Sequence, residues 1–219
     1  MEIEKGTVRG SPYLGVFSVV TEDVAILPKF VEQKEIANYE RTLGIEVIKA
    51  NIMESALAGI FMTGVGKKFV VPYAAGNGEV KFLRSQGLEI EMIGATALGN
   101  MIALNSSGGV VSRLLPHAER EKLADFFGIK FEAMDVAGSD VPGSAITVTE
   151  NGFIVNPNVN EKEFKMLGKI FGVSGKPTTA NYGDPFVGND VVANSRGAIV
   201  GTYTSGHELI RIDEGLRGE

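Results

Sequence analysis

Residues 194–215, NSRGAIVGTYTSGHELIRIDEG, contain in one stretch the pattern that decides the fold. The glycines Gly197, Gly201 and Gly206, a Thr-Ser-Gly step and a basic residue resemble a phosphate-binding loop that leads into a helix. The same residues are also typical of a hairpin turn, NSRG, an apolar strand, AIVGT, and a helix that ends at a glycine. The rest of the chain favours the second interpretation, because the pattern recurs.

Helix-like segments that end at a glycine recur along the whole chain. A glycine just past a helix end accepts the left-handed conformation that stops the helix. The spacing of these stops is 41 to 44 residues, and such a period indicates a repeat architecture. The stops lie at Gly44, Gly87, Gly128, Gly172 and Gly215.

Each of these helices follows two apolar runs joined by a turn. The runs just before the helices are VAILP at 24, KFVVP at 68, GVVSR at 109, FIVNP at 153 and AIVGT at 198. The turns are clearest at NSSGG, TENG and NSRG, where we expect Asn and Gly to supply positive φ angles. Ahead of the turns lie GVFSVV, GIFMTG, NMIALN, AITVTE and NDVVAN, which we predict as strands. Each unit is therefore predicted as strand, turn, strand, helix, strand.

Five such α/β units account for nearly the whole chain as a single domain, with approximate ranges 9–51, 52–94, 95–137, 138–180, and 181–219 together with 1–8. The last unit lacks a closing strand after its helix. The first residues, MEIEKG, match the strands IEVIKA and LEIEMI in alternation and charge. We therefore expect the N-terminal strand to complete the fifth unit, which would close the chain into a propeller-like ring without a long open edge.

The helices are amphipathic, and each is predicted to pack one stripe on the sheet of its own unit. Phe164, Leu167 and Phe171 lie at spacings of three and four, as do Leu123 and Phe127. We interpret these residues as core rather than as a cofactor site.

Composition excludes several classes of protein. The chain has no cysteine, which excludes disulfides, thiolate zinc sites and a cysteine nucleophile. A formal charge of −6 argues against a broad basic face for nucleic acid, and the densest basic cluster, Lys67-Lys68, is typical of a solvated turn. Without a bilayer-spanning run or a signal-peptide pattern, a cytoplasmic location is the default expectation.

Catalytic and ligand-binding motifs are not indicated. Only His117 and His207 are present, each near the start of a predicted surface helix, and the Gly-x-Ser-x-Gly pattern is absent. A P-loop around GVGKK fails because Phe61 stands at the first glycine position and Lys68 at the hydroxyl position. Charged segments such as AEREKLAD are better interpreted as exposed helix faces than as metal ligands. We therefore predict no catalytic residue, no metal and no cofactor.

Three segments closely resemble archaeal members of the translation initiation factor six family. They are TALGN at 96–100, TANYGDPFVGNDVVANSRGAIVG at 179–201 and TSGHELIRIDEGL at 204–216, in their expected order. The resemblance runs from the N-terminal strand to the last helix. It implies the pentein fold, five pseudo-symmetric α/β units around a central axis, which agrees with the repeat count.

The resemblance also implies a function without catalysis. Such a factor binds the intersubunit side of the large ribosomal subunit and prevents the small subunit from joining. The docking partner implied is chiefly a basic ribosomal protein of the fourteenth large-subunit family, beside the sarcin-ricin loop, with rRNA contact an open alternative. We expect a monomer without membrane contact. An acidic protein suits a basic partner, because opposite charges steer association.

The loops that open the units are predicted to gather on one face and to form the docking surface. We assign them as YLG at 13, LAG at 57, LGN at 98, GSA at 143 and VGN at 187. By resemblance, Asn100 contacts the ribosomal protein, while Leu98 and Gly99 shape its loop. The other docking candidates are Phe186, Val187 and Asn189. Phe186 stands where the family tends to have a smaller side chain, and Tyr182 where a basic residue is common.

Two alternatives stay open at this point. Asn100 and Asn189 could instead cap or bridge neighbouring units through their amides. The chain could also be a pentein-fold amidine-modifying enzyme with an atypical nucleophile, since relatives of this fold include amidine hydrolases and transferases. Those enzymes use a cysteine nucleophile, which this chain lacks.

Overall fold

The computed structural model describes all residues from Met1 to Glu219 and contains five three-stranded sheets. The strands are β1 Glu2–Gly6, β2 Val19–Val20, β3 Val24–Leu27, β4 Glu46–Lys49, β5 Thr63–Val65, β6 Lys68–Pro72, β7 Glu89–Ile93, β8 Ile102–Leu104, β9 Gly109–Val111, β10 Phe131–Ala133, β11 Ile146–Val148, β12 Phe153–Val155, β13 Gly175–Pro177, β14 Val191–Ala193 and β15 Gly197–Gly201. The helices are α1 Leu14–Phe17, α2 Gln33–Leu43, α3 Ala58–Phe61, α4 Asn77–Ser85, α5 Leu98–Met101, α6 His117–Phe127, α7 Pro142–Ala145, α8 Glu161–Phe171, α9 Val187–Asp190 and α10 Gly206–Arg217. None of these helices has the length and apolar character needed to cross a bilayer.

All five sheets have the same topology. The middle strand pairs antiparallel with the strand before it and parallel with the strand after the long helix, as in the sheet β2-β3-β4. Each predicted unit range holds one such sheet. The fifth sheet is β14-β15-β1, in which Glu2 pairs with Gly197 and Gly6 with Gly201. The prediction that the N-terminal strand completes the fifth unit is confirmed.

The hydrophobic cores lie between neighbouring sheets and not within single units. In β3, Val24 and Ile26 join one buried cluster with Phe69 of the second unit. The alternate residues of β3, Ala25 and Leu27, join another cluster with Ile199 of the fifth unit. Both faces of every middle strand are buried against neighbouring units in this way. This explains why the sequences of these strands are continuous apolar runs.

The long helices fill the spaces between the sheets. α10 packs against β12 and β13 of the fourth unit, and α2 packs against β15 and β1 of the fifth. The prediction that each helix packs on its own unit's sheet is confirmed but incomplete, because the apolar stripe of each helix also contacts the preceding sheet. The predicted core residues Leu123, Leu167 and Phe171 are fully buried.

The short helices α1, α3, α5, α7 and α9 were not predicted. The apolar runs predicted as strands begin in these short helices, and each run contains only two or three strand residues. Contacts between the short helices form a cycle, in the order α1, α3, α5, α7, α9 and back to α1. The strands that follow them surround a central cavity of about 110 Å³. No strand of one sheet pairs with a strand of another sheet, so the arrangement is a pseudo-repeat ring and not a continuous barrel.

Three of the five predicted helix stops are confirmed, since Gly44, Gly128 and Gly172 are left-handed caps. α4 ends at Ser85, with Gly87 left-handed shortly after the cap. The stop predicted at Gly215 is wrong, because α10 continues to Arg217.

Two glycines of the quoted stretch, Gly206 and Gly215, lie inside α10. Gly215 is glycine for another reason: its Cα lies so close to β12 that a Cβ would be 2.6 Å from the Ile154 side chain. At the start of the same helix, Ser205 is the cap, and Gly206 is already the first helical residue.

The hairpin turns form without the positive φ angles that were predicted for Asn and Gly. Among the turn residues only Gly66 is left-handed. Asn194 instead accepts hydrogen bonds at Oδ1 from the backbone N–H groups of Arg196 and Gly197, at 3.0 and 3.1 Å. Its Nδ2 donates to the Leu43 carbonyl oxygen at 2.8 Å, which ties the turn to the end of α2. The asparagine therefore acts through its side chain and not through its backbone conformation.

Candidate docking surface

A ring of five glycines lies at the contacts between the short helices. A Cβ on Gly59 would overlap the carbonyl oxygen of Gly15, and a Cβ on Gly99 would overlap that of Gly59. The same relation continues through Gly143 and Gly188, and Gly188 in turn lies against Gly15. Since backbone touches backbone at each step, no side chain fits at these positions.

These glycines correct the alignment of the opening loops. The equivalent triplets are YLG at 13, LAG at 57, ALG at 97, VPG at 141 and FVG at 186, with the ring glycine in third place. The assignments at 98, 143 and 187 were therefore displaced by one or two residues. The register was missed because the third unit has a shorter loop and because neighbouring small residues offer other alignments.

The residues proposed for docking fall into two groups. Leu98 and Val187 are fully buried, each within an inter-unit core, so they support the loops from below. Asn100, Phe186 and Asn189 are half-buried and reach the surface, while Gly99 belongs to the glycine ring. α7 lies between α5 and α9 in the cycle of short helices, so Asn100 and Asn189 do not form one contiguous pair.

Bridging between units is carried by other asparagines. Asn105 donates to the Thr149 carbonyl oxygen at 3.1 Å, and Asn194 donates to that of Leu43. Asn181 donates to the Pro12 carbonyl oxygen at 3.1 Å. The side chains of Asn100 and Asn189 make no hydrogen bond within the protein. This argues against the alternative that their amides bridge neighbouring units.

A glutamate in the first turn of every long helix fixes the loop that precedes a short helix. Glu163 accepts hydrogen bonds from the backbone N–H groups of Ala137 and Asn160, at 3.1 and 3.2 Å. Glu208 accepts from Gly183 at 2.8 Å and from Ser205 at 2.6 Å. The other members of this set are Glu35, Glu79 and Glu119. Each carboxylate thus holds a helix start and a neighbouring loop together.

These glutamates hold the loops beside the N-terminal ends of the long helices. We call the surface formed by the loops alone, residues 7–13, 51–57, 94–97, 135–141 and 180–186, the loop face. Within these segments four carboxylates stand against a single basic residue, Arg9. The carboxylates belong to Glu54, Asp135, Asp140 and Asp184. The loop face is therefore acidic and suits a basic partner.

A buried carboxylate lies beneath the loop face in the fifth unit. Asp190 is fully buried and stands where the other short helices end in Phe17, Phe61, Met101 and Ala145. Its Oδ1 accepts from Asn181 at 2.7 Å, while its Oδ2 has no partner. Burial raises the pKa of Asp190 to about 7 against the effect of the Asn181 hydrogen bond, and Asp184 and Glu208 raise it further. Sequence reasoning missed this residue, although its polar character at an otherwise apolar position was visible.

The quoted stretch has no free phosphate-binding geometry. At the start of α10 the Glu208 carboxylate accepts from Ser205, and Ser205 Oγ accepts from the Glu208 backbone N–H. Burial alone would raise the pKa of Glu208, but hydrogen bonds from Ser205, Thr179 and Gly183 hold it below its ordinary value. A helix start that already holds its own carboxylate repels a phosphate.

The two histidines are not brought together. His117 and His207 are exposed near the starts of α6 and α10, and His117 Nδ1 lies 3.3 Å from the Glu121 carboxylate. The structure contains no group of three or more His, Cys, Asp or Glu residues arranged to hold a metal ion.

The chain is similar to known proteins over almost its whole length. The model of the eIF-6 family matches residues 3–215. A protein of Pyrococcus abyssi named translation initiation factor 6 is 34% identical over 224 residues, with 99% of each chain covered. Proteins of the same name from Pyrococcus furiosus and Thermoplasma acidophilum are 34% and 30% identical, with 99% and 98% of this chain and 99% of each relative covered.

Proposed function

The chain belongs to the eIF-6 family of translation initiation factors, and from this premise we propose that it binds the intersubunit side of the large ribosomal subunit and blocks joining of the small subunit. The observation that carries the proposal is a family match across almost the entire chain. The factor acts by occupying a surface and carries out no reaction. We further infer that the cycle of units is the closed ring of the pentein fold.

The acidic loop face supports this role. Its carboxylates outnumber its basic residues, and a ribosomal subunit offers protein surfaces rich in Lys and Arg beside its RNA. Opposite charges accelerate encounter and orient the two surfaces. The partner we propose is a basic ribosomal protein of the fourteenth large-subunit family near the sarcin-ricin loop, with rRNA contact at the edge.

The rigidity of the loops supports docking as well. Every loop of the face is tied to a long helix by a glutamate, and the short helices are locked by the glycine ring. A surface that is already ordered loses little conformational entropy when it binds. Blocking a joining reaction needs only such a surface and enough bulk to occupy the subunit interface.

Co-sedimentation with purified large and small ribosomal subunits tests the proposal. We expect the protein to sediment with large subunits and not with small ones. In a second step, pre-bound factor should suppress the formation of joined ribosomes in proportion to its occupancy. Binding to the small subunit alone, or full joining at saturating factor, would refute the proposal.

The docking residues are tested by substitution in the loop face and in the adjoining helix α5. Asn100→Arg in α5 adds bulk and a charge that repels a basic partner, and Phe186→Ala in the loop face removes a half-buried apolar side chain at the surface. We expect each variant to fold normally and to weaken large-subunit binding about tenfold, the typical effect of one central contact. Gln86→Arg adds the same charge at the exposed C-terminal end of α4 and should bind as wild type. Unchanged binding of both Asn100→Arg and Phe186→Ala would place the docking surface elsewhere.

A further inference from the structure

Three exposed tyrosines lie together at the junction of the fifth and first units. Tyr182, Tyr203 and Tyr13 are 84%, 67% and 44% exposed. Their backbone segments touch, because Asn181 Nδ2 donates to the Pro12 carbonyl oxygen at 3.1 Å and Gly201 is packed against both groups. Large aromatic surface exposed on several neighbouring segments is typical of an interaction site.

The tyrosine backbone segments are held firmly. Tyr182 has a φ of 67°, and the N–H groups of Tyr182 and Gly183 donate to the Glu208 carboxylate at 3.3 and 2.8 Å. On the other side of the junction, Tyr13 directly precedes α1. The tyrosine side chains are therefore presented from fixed backbone, and only two torsions in each must be ordered when a partner binds.

Carboxylates surround this tyrosine cluster. These carboxylates are Asp184 and Glu208, which flank the Tyr182 loop. The nearest loop arginine, Arg9, is already stacked on Phe30, with its guanidinium carbon 5.2 Å from the ring centroid. The cluster therefore combines aromatic faces with negative charge, which disfavours the phosphates of RNA.

We propose that Tyr13, Tyr182 and Tyr203 form a binding surface for an arginine-rich polypeptide segment of the partner. A guanidinium stacks on a tyrosine ring and at the same time donates to a carboxylate such as that of Asp184, whereas a lysine ammonium makes the stacking contact less well. This inference rests on the proposed function for its source of the segment, a basic protein of the large subunit. It adds a second contact region at the junction of the fifth and first units, separate from Asn100.

The surface itself is tested by fluorescence anisotropy with a labelled peptide of alternating arginine and glycine. We expect the wild-type protein to bind this peptide several-fold more tightly than its lysine counterpart, and Tyr182→Ala/Tyr203→Ala to weaken binding about tenfold. Tyr73→Ala removes a 55% exposed tyrosine from the second unit and should leave binding unchanged. Equal binding by all three proteins would overturn the proposal.

The charge requirement has its own variant. Asp184→Asn keeps an oxygen that accepts the Phe186 N–H, now held at 2.8 Å, and removes only the negative charge. We expect weaker binding of the arginine peptide and a smaller dependence on salt. Labelled oligouridine RNA is the competing probe. If it binds more tightly than the peptide and the double variant abolishes that binding, the surface is an RNA site and the proposal is wrong.

Large-subunit co-sedimentation separates this inference from the proposed function. If the wild-type protein fails to sediment with large subunits, the proposed function fails, whatever the peptide result. If the wild type sediments and Tyr182→Ala/Tyr203→Ala sediments equally well, the tyrosine surface is not part of docking. We expect the double variant to bind at least tenfold more weakly, with unchanged thermal unfolding.

Discussion

Individual glycines connect the units at the centre of the molecule. Each ring glycine touches the backbone of the preceding one, so a methyl group at any of these positions would have to push two short helices apart. The requirement is steric and not conformational, since none of the ring glycines has a positive φ.

Gly59→Ala should therefore destabilise the protein by about 3 kcal/mol or more, or prevent folding, because the added Cβ overlaps the Gly15 carbonyl oxygen. Gly78→Ala in α4 is the matched control, as a Cβ there meets nothing within 4 Å. This control should gain about 0.5 kcal/mol from helix propensity and reduced chain entropy. Thermal unfolding of both variants provides the measurement, and equal melting temperatures would show that the glycine ring tolerates expansion.

Asp190 makes the folded protein less stable as the pH rises, which is the opposite of the usual effect of a carboxyl group. Its pKa is raised from 3.8 to about 7 in the folded protein by burial, so the folded state keeps a proton that the unfolded chain releases. Stability from this group is full below about pH 4 and falls as the pH rises to about 7. Glu208 acts in the opposite sense, because its lowered pKa contributes stability that is lost on acidification.

Asp190→Asn removes the free-energy cost of ionising a buried carboxyl group. It also places an amide donor near the unpartnered Asn181 Oδ1. We expect the variant to be more stable than wild type by about 1–3 kcal/mol at pH 8, the usual cost of an unsatisfied buried polar group. The difference should shrink towards zero at pH 4. Urea unfolding at several pH values measures it, and a constant difference across that range would contradict the assigned pKa.

At the scale of elements, the glutamate in the first turn of each long helix fixes the loop that precedes a short helix. Glu163→Ala should cost about 1–2 kcal/mol, since it removes the hydrogen bonds to the N–H groups of Asn160 and Ala137. Hydrogen exchange at Ala137 should accelerate. Glu161→Ala is the control, because Glu161 is exposed on the same helix and pairs only with Lys165. Unchanged exchange at Ala137 would show that the loop is held by other contacts.

The elements were predictable to different degrees. The strand and helix order, the fifth sheet with its N-terminal strand and the helix stops at Gly44, Gly128 and Gly172 followed from periodicity and cap chemistry. The short helices were missed because four residues are too few for a helical period. The end of α10 was missed because Gly215 is required by contact with β12, which lies in another unit.

The candidate site was less predictable, because it also depends on contacts between residues of different units. Asn100 and Phe186 could be proposed only from resemblance. The burial of Leu98 and Val187, the shared carboxylates and the tyrosine cluster depend on which loops become neighbours. No local sequence pattern predicts the hydrogen bond between Asn181 and Pro12, since the two residues are 169 positions apart.

At the scale of the whole molecule, no unit has a core of its own. Every buried cluster contains residues of two neighbouring sheets, including one that joins the fifth unit to the first. Loss of one unit therefore exposes apolar surface on both of its neighbours. The whole chain should unfold as one cooperative transition.

Deletion of residues 1–6 tests this closure. The variant loses β1 and leaves the parallel side of β15 unpaired, so we expect a large drop in melting temperature with a single transition. Tyr39 reports on the junction, because it is the buried one among five tyrosines, its hydroxyl lies 2.8 Å from Ser18 Oγ, and the chain has no tryptophan. Its near-ultraviolet circular dichroism should be lost with the melt. An unchanged melting temperature would contradict closure through the N-terminal strand.

The pairing of β1 with β15 also sets an order of events during synthesis. Glu2 leaves the ribosome early, and its partner Gly197 is made 195 residues later. At ordinary elongation rates the first strand waits roughly 10 to 40 s for its place in the fifth sheet. Until then the nascent chain carries an unpaired strand at one end and an unfilled inter-unit core at the other. We therefore expect a chain interrupted before the fifth unit to expose apolar surface that chaperones or proteases recognise, and to present no finished loop face.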